Sequence, residues 1–249
     1  MKIALIGDIH GNLLALDAVL AEITGEVDGI LCLGDVAVGP QPVETVERVR
    51  DLNCSVLMGN WDAWFLDGFP ELPEELGRRL VETAEWWAGH LGAEHRQFMR
   101  GFERSAEVAL QGEGTLAAFH GSPRSYEEGI LATTSADDVD RMLDGVDASV
   151  IVCGHTHFQM LRRHDDKILV NPGSVGLSFC GKGPIMRIAP WAEYGVITLE
   201  DRRLAVELRR TAFDAVAFAD LIRSSGMPHA EWWAGLWTQS IGPVPVAAA

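Results

Sequence analysis

Gly7-Asp8-Ile9-His10-Gly11-Asn12 is the stretch that decides how this chain is read. It follows the short apolar run Lys2-Ile3-Ala4-Leu5-Ile6 and precedes an amphipathic pattern that begins near Leu13. Asp8 and His10 are therefore expected where a buried strand ends and its loop begins, the usual place for ligands in open α/β sheets. A carboxylate and an imidazole two residues apart can face one cation. Alone the pair has little weight, because a turn or N-cap role explains Asp8 equally well. Its weight comes from three later stretches of the same design: Gly34-Asp35, Gly59-Asn60 and Gly154-His155-Thr156-His157. Each follows an apolar, β-like run, and each ends in a metal-competent side chain.

Working outward, the first 62 residues alternate strand and helix, the signature of a parallel sheet. Strands are expected at 2–7, 29–33 and 55–58. A helix with Asn12 as N-cap separates the first two, and a helix over about 43–52 separates the others. Residues 63–104 break the rhythm with Leu, Glu, Arg and Trp at helical spacing, which predicts a cap insertion of two helices over about 73–102. Strands resume at 107–111 and 115–119 around a Gly-Glu-Gly turn at 112–114, and the second delivers His120. A helix over 135–143 opens on Ser135 and Asp138, an acidic variant of the capping box. A strand over 148–153 leads into Gly154-His155-Thr156-His157, and shorter strands are expected at 158–163 and 167–170. Asn171-Pro172-Gly173-Ser174 then opens a Gly-rich loop that runs through Gly183. A hairpin over 194–200 and 203–210 turns at Asp201-Arg202, and helices near 213–225 and 229–238 finish the fold. The tail from Pro243 to Ala249 is expected to be loosely held. The whole reads as one domain over 1–249, with the insertion at about 63–104 and a hairpin and helical extension at about 194–240.

Composition bounds the function. The chain has 249 residues, 47% of them hydrophobic, enough for one large core. Its formal charge of −16 argues against extended nucleic acid or an anionic membrane as partner, since both need Lys/Arg clusters. It leaves room for a small phosphorylated substrate, because a bound cation reverses the local field. The four cysteines form no Cys-x-x-Cys pair. With no signal peptide and no apolar run of membrane-spanning length, a reducing, cytoplasmic setting is expected. Trp232, Trp233 and Trp237 could be buried within the chain or against a partner, which leaves a homo-oligomer open.

The candidate ligands are Asp8, His10, Asp35, Asn60, His120, His155 and His157. Seven are too many for one ion and suit two divalent ions that share a bridging carboxylate, for which Asp35 is the natural choice. Mixed His/Asp/Asn ligation points to borderline ions, Mn²⁺ first and Fe²⁺, Co²⁺, Ni²⁺ or Zn²⁺ beside it, rather than Mg²⁺ or Ca²⁺. Two such ions activate a bridging water and neutralise phosphoryl charge, so the implied reaction is in-line attack on a phosphate ester.

These motifs, in their order over residues 1–200, resemble those of the calcineurin-like metallophosphoesterases, especially the small bacterial and archaeal phosphodiesterase-type members. The resemblance implies a four-layer α/β/β/α sandwich with the metals at the strand ends. It assigns Asp8, His10, Asp35 and His157 to one ion and Asp35, Asn60, His120 and His155 to the other. It also implies that Asn12 touches the substrate phosphate. One position departs from the family pattern: a His is usual after Gly-Asn, and here it is Trp61, whose indole N–H donates a hydrogen bond but cannot release a proton at working pH. The acid must then come from elsewhere, for example His157 or water, or the leaving group must be a good one. Arg124 is a further phosphate-contact candidate, with a surface ion pair as its competing role. The expected function is a phosphodiesterase acting on a small, nucleotide-like ester, with Asp35, Asn60 and His157 in catalytic positions and Trp61 beside the substrate. A phosphomonoesterase or protein phosphatase and a non-catalytic metal-binding scaffold are the alternatives.

Overall fold

The period-2 pattern of the first strand sets the layers. In a computed structural model of the chain, Ile3 and Leu5 point to one side of β1 (Lys2–Ile6), and Ala4 and Ile6 to the other. Both sides are apolar because both faces of the sheet are covered. The structure describes residues 1–71, 74–110, 114–180, 187–201 and 203–238. Parts of the turns expected at 112–114 and 201–202, the last residues of the Gly-rich loop and the 243–249 tail lie outside them.

In chain order β1 is followed by α1 (Leu13–Ile23), β2 (Gly29–Cys32), α2 (Pro42–Asp51) and β3 (Ser55–Val56). Three helices come next: α3 (Asn60–Asp67), α4 (Glu75–Ala88) and α5 (Ala93–Met99). Then come β4 (Ser105–Ala109), β5 (Thr115–Phe119), α6 (Ala136–Met142), β6 (Val150–Cys153), β7 (Met160–His164) and β8 (Lys167–Asn171). The short β9 (Phe179–Cys180) and β10 (Arg187–Ile188) precede β11 (Trp191–Glu200), β12 (Arg203–Ala212), α7 (Ala215–Ser224) and α8 (Ala230–Thr238).

Two five-stranded sheets carry the fold, ordered β12-β11-β1-β2-β3 and β4-β5-β6-β8-β7. β1, β2 and β3 run parallel, with Ile3 opposite Gly29 and Leu31 opposite Ser55. β5, β6 and β8 run parallel in the other sheet. Leu5, Leu31, Leu33, Leu116, Val152 and Ile197 fill the space between the sheets. Ala4, Ile6 and Val196 face the helices of the first sheet. Ala117, Phe119, Ile151 and Cys153 face α6 on the far side of the second. The order is helix, sheet, sheet, helix, the four layers expected, unevenly filled: most helices cover the first sheet.

Two expectations change in detail. The insertion holds three helices rather than two, because Gly68 (φ 107°) ends α3 and the Gly89–Gly92 segment separates α4 from α5. The C-terminal hairpin is part of the first sheet: β11 pairs antiparallel with β1, Ile3 opposite Ile197, so its own alternation is buried on both sides. α4 and α8 meet through Trp87 and Trp233, whose ring centroids lie 5.2 Å apart, and Trp237 packs on Phe218 at 5.1 Å. Two of the C-terminal tryptophans are thus buried within the chain. Cys32 and Cys153 are buried as expected of small hydrophobes. Among the described residues no helix is long and apolar enough to cross a membrane.

Leu5 has no exposed surface, and its truncation leaves a cavity between the sheets. Leu5→Ala is expected to lower stability by about 2–5 kcal/mol in urea unfolding. Leu161→Ala, at a half-exposed position, should shift it by less than about 0.5 kcal/mol. Equal shifts would contradict the inter-sheet core.

Candidate metal centre

All seven predicted ligands leave the C-terminal ends of parallel strands and converge. β1 delivers Asp8 and His10, β2 delivers Asp35, β3 leads to Asn60, β5 ends at His120, and β6 leads to His155 and His157. The loops are laced to one another. The Asp8 N–H donates to the Gly34 carbonyl (2.9 Å), His10 to Asp35 (3.0 Å) and Gly154 to His120 (2.7 Å). Between the sheets, the His155 N–H donates to Asp8 Oδ2 (3.0 Å) and His120 Nδ1 to the Leu33 carbonyl (2.7 Å).

The turns are tight. Asp8, His10, Asp35, His155 and His157 all sit at φ between 49° and 64°, a left-handed conformation that costs a side-chain-bearing residue about 1–3 kcal/mol. A Cβ on Gly59 would lie 2.1 Å from Asp35 Oδ1, and one on Gly39 1.8 Å from the His10 carbonyl. Only glycine admits these approaches.

The histidine tautomers decide what the site can hold. His120 Nδ1 faces the Leu33 carbonyl and His157 Nδ1 the Leu177 carbonyl (2.8 Å). Burial outweighs the backbone groups of Val38 and Glu127, which favour protonation of the His10 and His155 rings. A carbonyl only accepts, so the nitrogen that faces it carries the proton and the inward nitrogen presents a lone pair. Those lone pairs face other acceptors. His10 Nε2 lies 3.0 Å from His157 Nε2. Asn60 Oδ1 lies 3.1 Å from His120 Nε2 and 3.0 Å from His155 Nδ1. Asp8 Oδ1, 3.4 Å from His157 Nε2, is buried with no hydrogen-bond partner. Two donor atoms about 2.1 Å from one ion and near a right angle lie about 3 Å apart, so these spacings are those of ligands sharing a cation. The backbone carbonyls behind the rings are the outer contacts that fix ligating histidines.

Two groups of donors emerge: Asp8, His10 and His157, and Asp8, Asp35 and His120. Asp8 is common to both, and Asp35 Oδ2 lies 3.6 Å from His120 Nε2 in its own group and 3.9 Å from His10 Nε2 in the other. Burial by itself would raise the Asp8 pKa, but the neighbouring imidazoles, His157 first and then His120 and His10, outweigh it and hold the carboxyl well below its usual range. Burial and then the Asp8 charge push Asp35 up. Burial and neighbouring His120 bring His155 down to about 4, and burial and His157 lower His10, so both are neutral at pH 7 and ready to ligate. His157 is the exception: burial opposes its protonation, but Asp8 wins and raises its pKa. A proton on His157 therefore competes with a metal.

Other expected site residues fall differently. Asn12 does not reach the substrate space. It is fully buried, its Oδ1 accepts from Ala15 N (3.1 Å) and its Nδ2 donates to the Gly176 carbonyl (3.1 Å). It is the N-cap of α1, and both ends of its amide are committed. Arg124 does not point at a phosphate either; it pairs with Glu128, the surface role. His157 lies among the candidate donors: its Nδ1–H is held by the Leu177 carbonyl and its Nε2 faces His10 and Asp8. Trp61 lies where expected: its N–H donates to Asp35 Oδ1 (2.9 Å), and its ring lines the cleft over the donors.

Three residues matter that the motifs did not assign. Asp62 keeps partners despite the missing histidine, accepting from Val36 N (3.0 Å), Ala37 N (3.3 Å) and Gly59 N (3.3 Å). It is buried, and burial with the nearby Asp35 charge raises its pKa to about 7. Its place at the third residue of a helix behind a Gly N-cap was the available signal. Ser174 Oγ donates to the Asp8 carbonyl (2.7 Å), and Asn171 Nδ2 donates to the Gly154 carbonyl (2.8 Å). The Asn-Pro-Gly-Ser turn therefore buttresses the ligand loops from behind.

The donors floor a cleft of about 570 Å³. α4 and α8 form its walls, with Leu76, Leu80, Trp232 and Leu236.

Comparison with known proteins agrees with this architecture. The model of the calcineurin-like phosphoesterase superfamily domain matches residues 1–190. An uncharacterised protein of Methanocaldococcus jannaschii, MJ0912, is 32% identical over 191 residues, 70% of this chain and 76% of that one. A metallophosphoesterase of Sphaerobacter thermophilus with a crystal structure is 27% identical at a TM-score of 0.75, over 96% of this chain and 98% of that one. A hypothetical protein of Pyrococcus horikoshii, PH1004, shares the fold at 22% identity and a TM-score of 0.76, over 92% and 94% of the two chains.

Because the raised pKa of His157 leaves it protonated to higher pH, metal must displace a proton there. Calorimetric Mn²⁺ affinity should weaken as the pH falls from 8 to 6, with protons released on binding. Asp8→Asn should weaken it by at least about 10–100-fold, the loss seen on disturbing even outer contacts of ligands. Affinity that is flat over this pH range would contradict the neutral-imidazole ligand set.

Proposed function

This chain belongs to the calcineurin-like phosphoesterase superfamily, and from that membership we propose that it hydrolyses small phosphodiesters with bound divalent metal ions. One observation carries the reading: ring nitrogens of four histidines and a buried Asp8 oxygen with no hydrogen-bond partner crowd together at the strand ends, an arrangement that bound cations would satisfy. The mixed nitrogen and oxygen donors fit the borderline ions, among them Mn²⁺, Fe²⁺, Co²⁺, Ni²⁺ and Zn²⁺. In this reading two ions would be held, with Asp35 available to both. Bound there, such a pair supplies Lewis acidity and brings the pKa of water toward neutrality.

The chain's own residues do the rest. Asp8, His10 and His157 hold one side, and Asn60, His120 and His155 the other. Asp35 is steadied by the Trp61 N–H, and its loop by Asp62. No described residue lining the cleft is Lys or Arg. A phosphate therefore meets no guanidinium or ammonium, and its charge falls to the metals alone. That favours a diester, which carries one negative charge, over a monoester, which carries close to two. Among the described residues lining the cleft, Trp61 cannot protonate a leaving alcohol, and both His157 nitrogens are engaged, Nδ1 with Leu177 and Nε2 among the donors. Esters with good leaving groups fit best.

With Mn²⁺-loaded protein, bis-p-nitrophenyl phosphate should turn over at least about tenfold faster than p-nitrophenyl phosphate. Asn60→Ala and His120→Ala should each lower that rate by about 10²–10³, the scale of lost transition-state stabilisation. Trp61→His should speed esters of poor leaving groups relative to p-nitrophenyl esters, by up to about 10²-fold. Faster monoester turnover would favour a phosphomonoesterase; two ions bound with no turnover of either ester would favour a binding protein.

A further inference from the structure

We infer that the organic group of the substrate is a hydrocarbon-like alcohol, seated between α4 and α8. This rests on the phosphoesterase reading and deepens it. The metal donors and the apolar walls line one continuous cleft, so a phosphate held over the donors places its ester group against those walls. The wall side chains are Val, Pro, Leu, Phe and Trp; among the described residues none of them accepts a hydrogen bond and none carries charge. Trp61, Leu80, Trp232 and Leu236 are half-buried and Leu76 is exposed, so apolar surface is left open beside a site for a charged group. The Trp233 indole N–H is used behind the wall, donating to Thr83 Oγ1 (3.2 Å). The Trp87 N–H is buried and unpartnered, so the wall offers indole donors but no side-chain acceptor.

A nucleobase or a sugar fits this lining poorly. Both carry donors that need acceptors, and burying them unpaired opposes binding. A polyphosphate would find no cation in the walls. A hydrocarbon chain or unsubstituted ring needs only apolar contact, which these walls supply over a volume typical of small-molecule sites. An apolar ester thus stands beside the nucleotide-like one expected from sequence, and their relative turnover separates the two.

The test uses the Mn²⁺-loaded protein and two parallel readouts. Turnover is followed for methyl, butyl and octyl p-nitrophenyl phosphate and for thymidine 5′-p-nitrophenyl phosphate. Binding of the non-hydrolysable n-alkylphosphonates, kept below their micelle concentrations, is followed by tryptophan emission. Both kcat/KM and affinity should rise about two- to fourfold per added methylene until the cleft is full. Octyl should exceed thymidine, and Leu80→Asn with Leu236→Asn should flatten the dependence on chain length. Affinity independent of chain length, or thymidine as the better ester, overturns the assignment. A dimer in sedimentation that dissociates as octylphosphonate binds also overturns it, by placing a second copy in the cleft. If no ester turns over but phosphonate affinity climbs with length, the phosphoesterase reading falls and the apolar ligand stands.

Discussion

The structure depends on one electrostatic constraint: several electron-rich atoms are held within about van der Waals contact of one another in a buried space. His10 and His157 point nitrogens at each other across 3.0 Å, and Asn60 Oδ1 sits between two imidazoles. The His120 and His157 rings are fixed by backbone carbonyls behind them, so their inward nitrogens cannot turn away. Such an arrangement is unfavourable by itself and becomes favourable around cations. The proposed phosphoester chemistry rests on that, because a cluster that gathers positive charge also gathers phosphate.

Much of the molecule serves to keep those atoms in place. Five of the ligands adopt a backbone conformation that side chains disfavour. They persist because the surrounding loops leave them no alternative. Ser174 ties the Asp8 carbonyl, Asn171 ties the loop ahead of His155, and Asp62 gathers three N–H groups from the loops of Asp35 and Asn60. The two sheets supply the rigidity beneath: parallel strands, buried on both faces, end in register under the site.

Trp61 links the centre to its surroundings. Its backbone steadies Asp35 while its ring starts the aromatic wall, packing edge-on to Trp64 at 4.8 Å. Exchanging an imidazole for an indole at this point removes a proton source and adds apolar area in the same step. The two consequences agree: a site without an acid suits a good leaving group, and a site with apolar walls suits an organic group that needs no hydrogen bonds.

The sequence by itself determined the layers and named the candidate ligands. Period-2 runs ending in Gly-Asp, Gly-Asn or Gly-His-x-His are local signals, and a strand end puts its next residues at the sheet edge whatever lies elsewhere. For the same reason the N-cap role of Asn12 and the ion-pair role open to Arg124 were legible beside their functional readings. Only the tertiary structure chose between them, by burying the Asn12 amide against Gly176 and bringing Glu128 to Arg124. It alone also decided the tautomers, since the carbonyls of Leu33 and Leu177 lie 87 and 20 residues from the histidines they orient. The same holds for the cleft. Its walls come from α4 and α8, and Trp233 reaches Thr83 across 150 residues. Helical periodicity shows that each helix has an apolar face, but which faces meet, and that they leave a gap above the metal donors, is settled by how the layers pack.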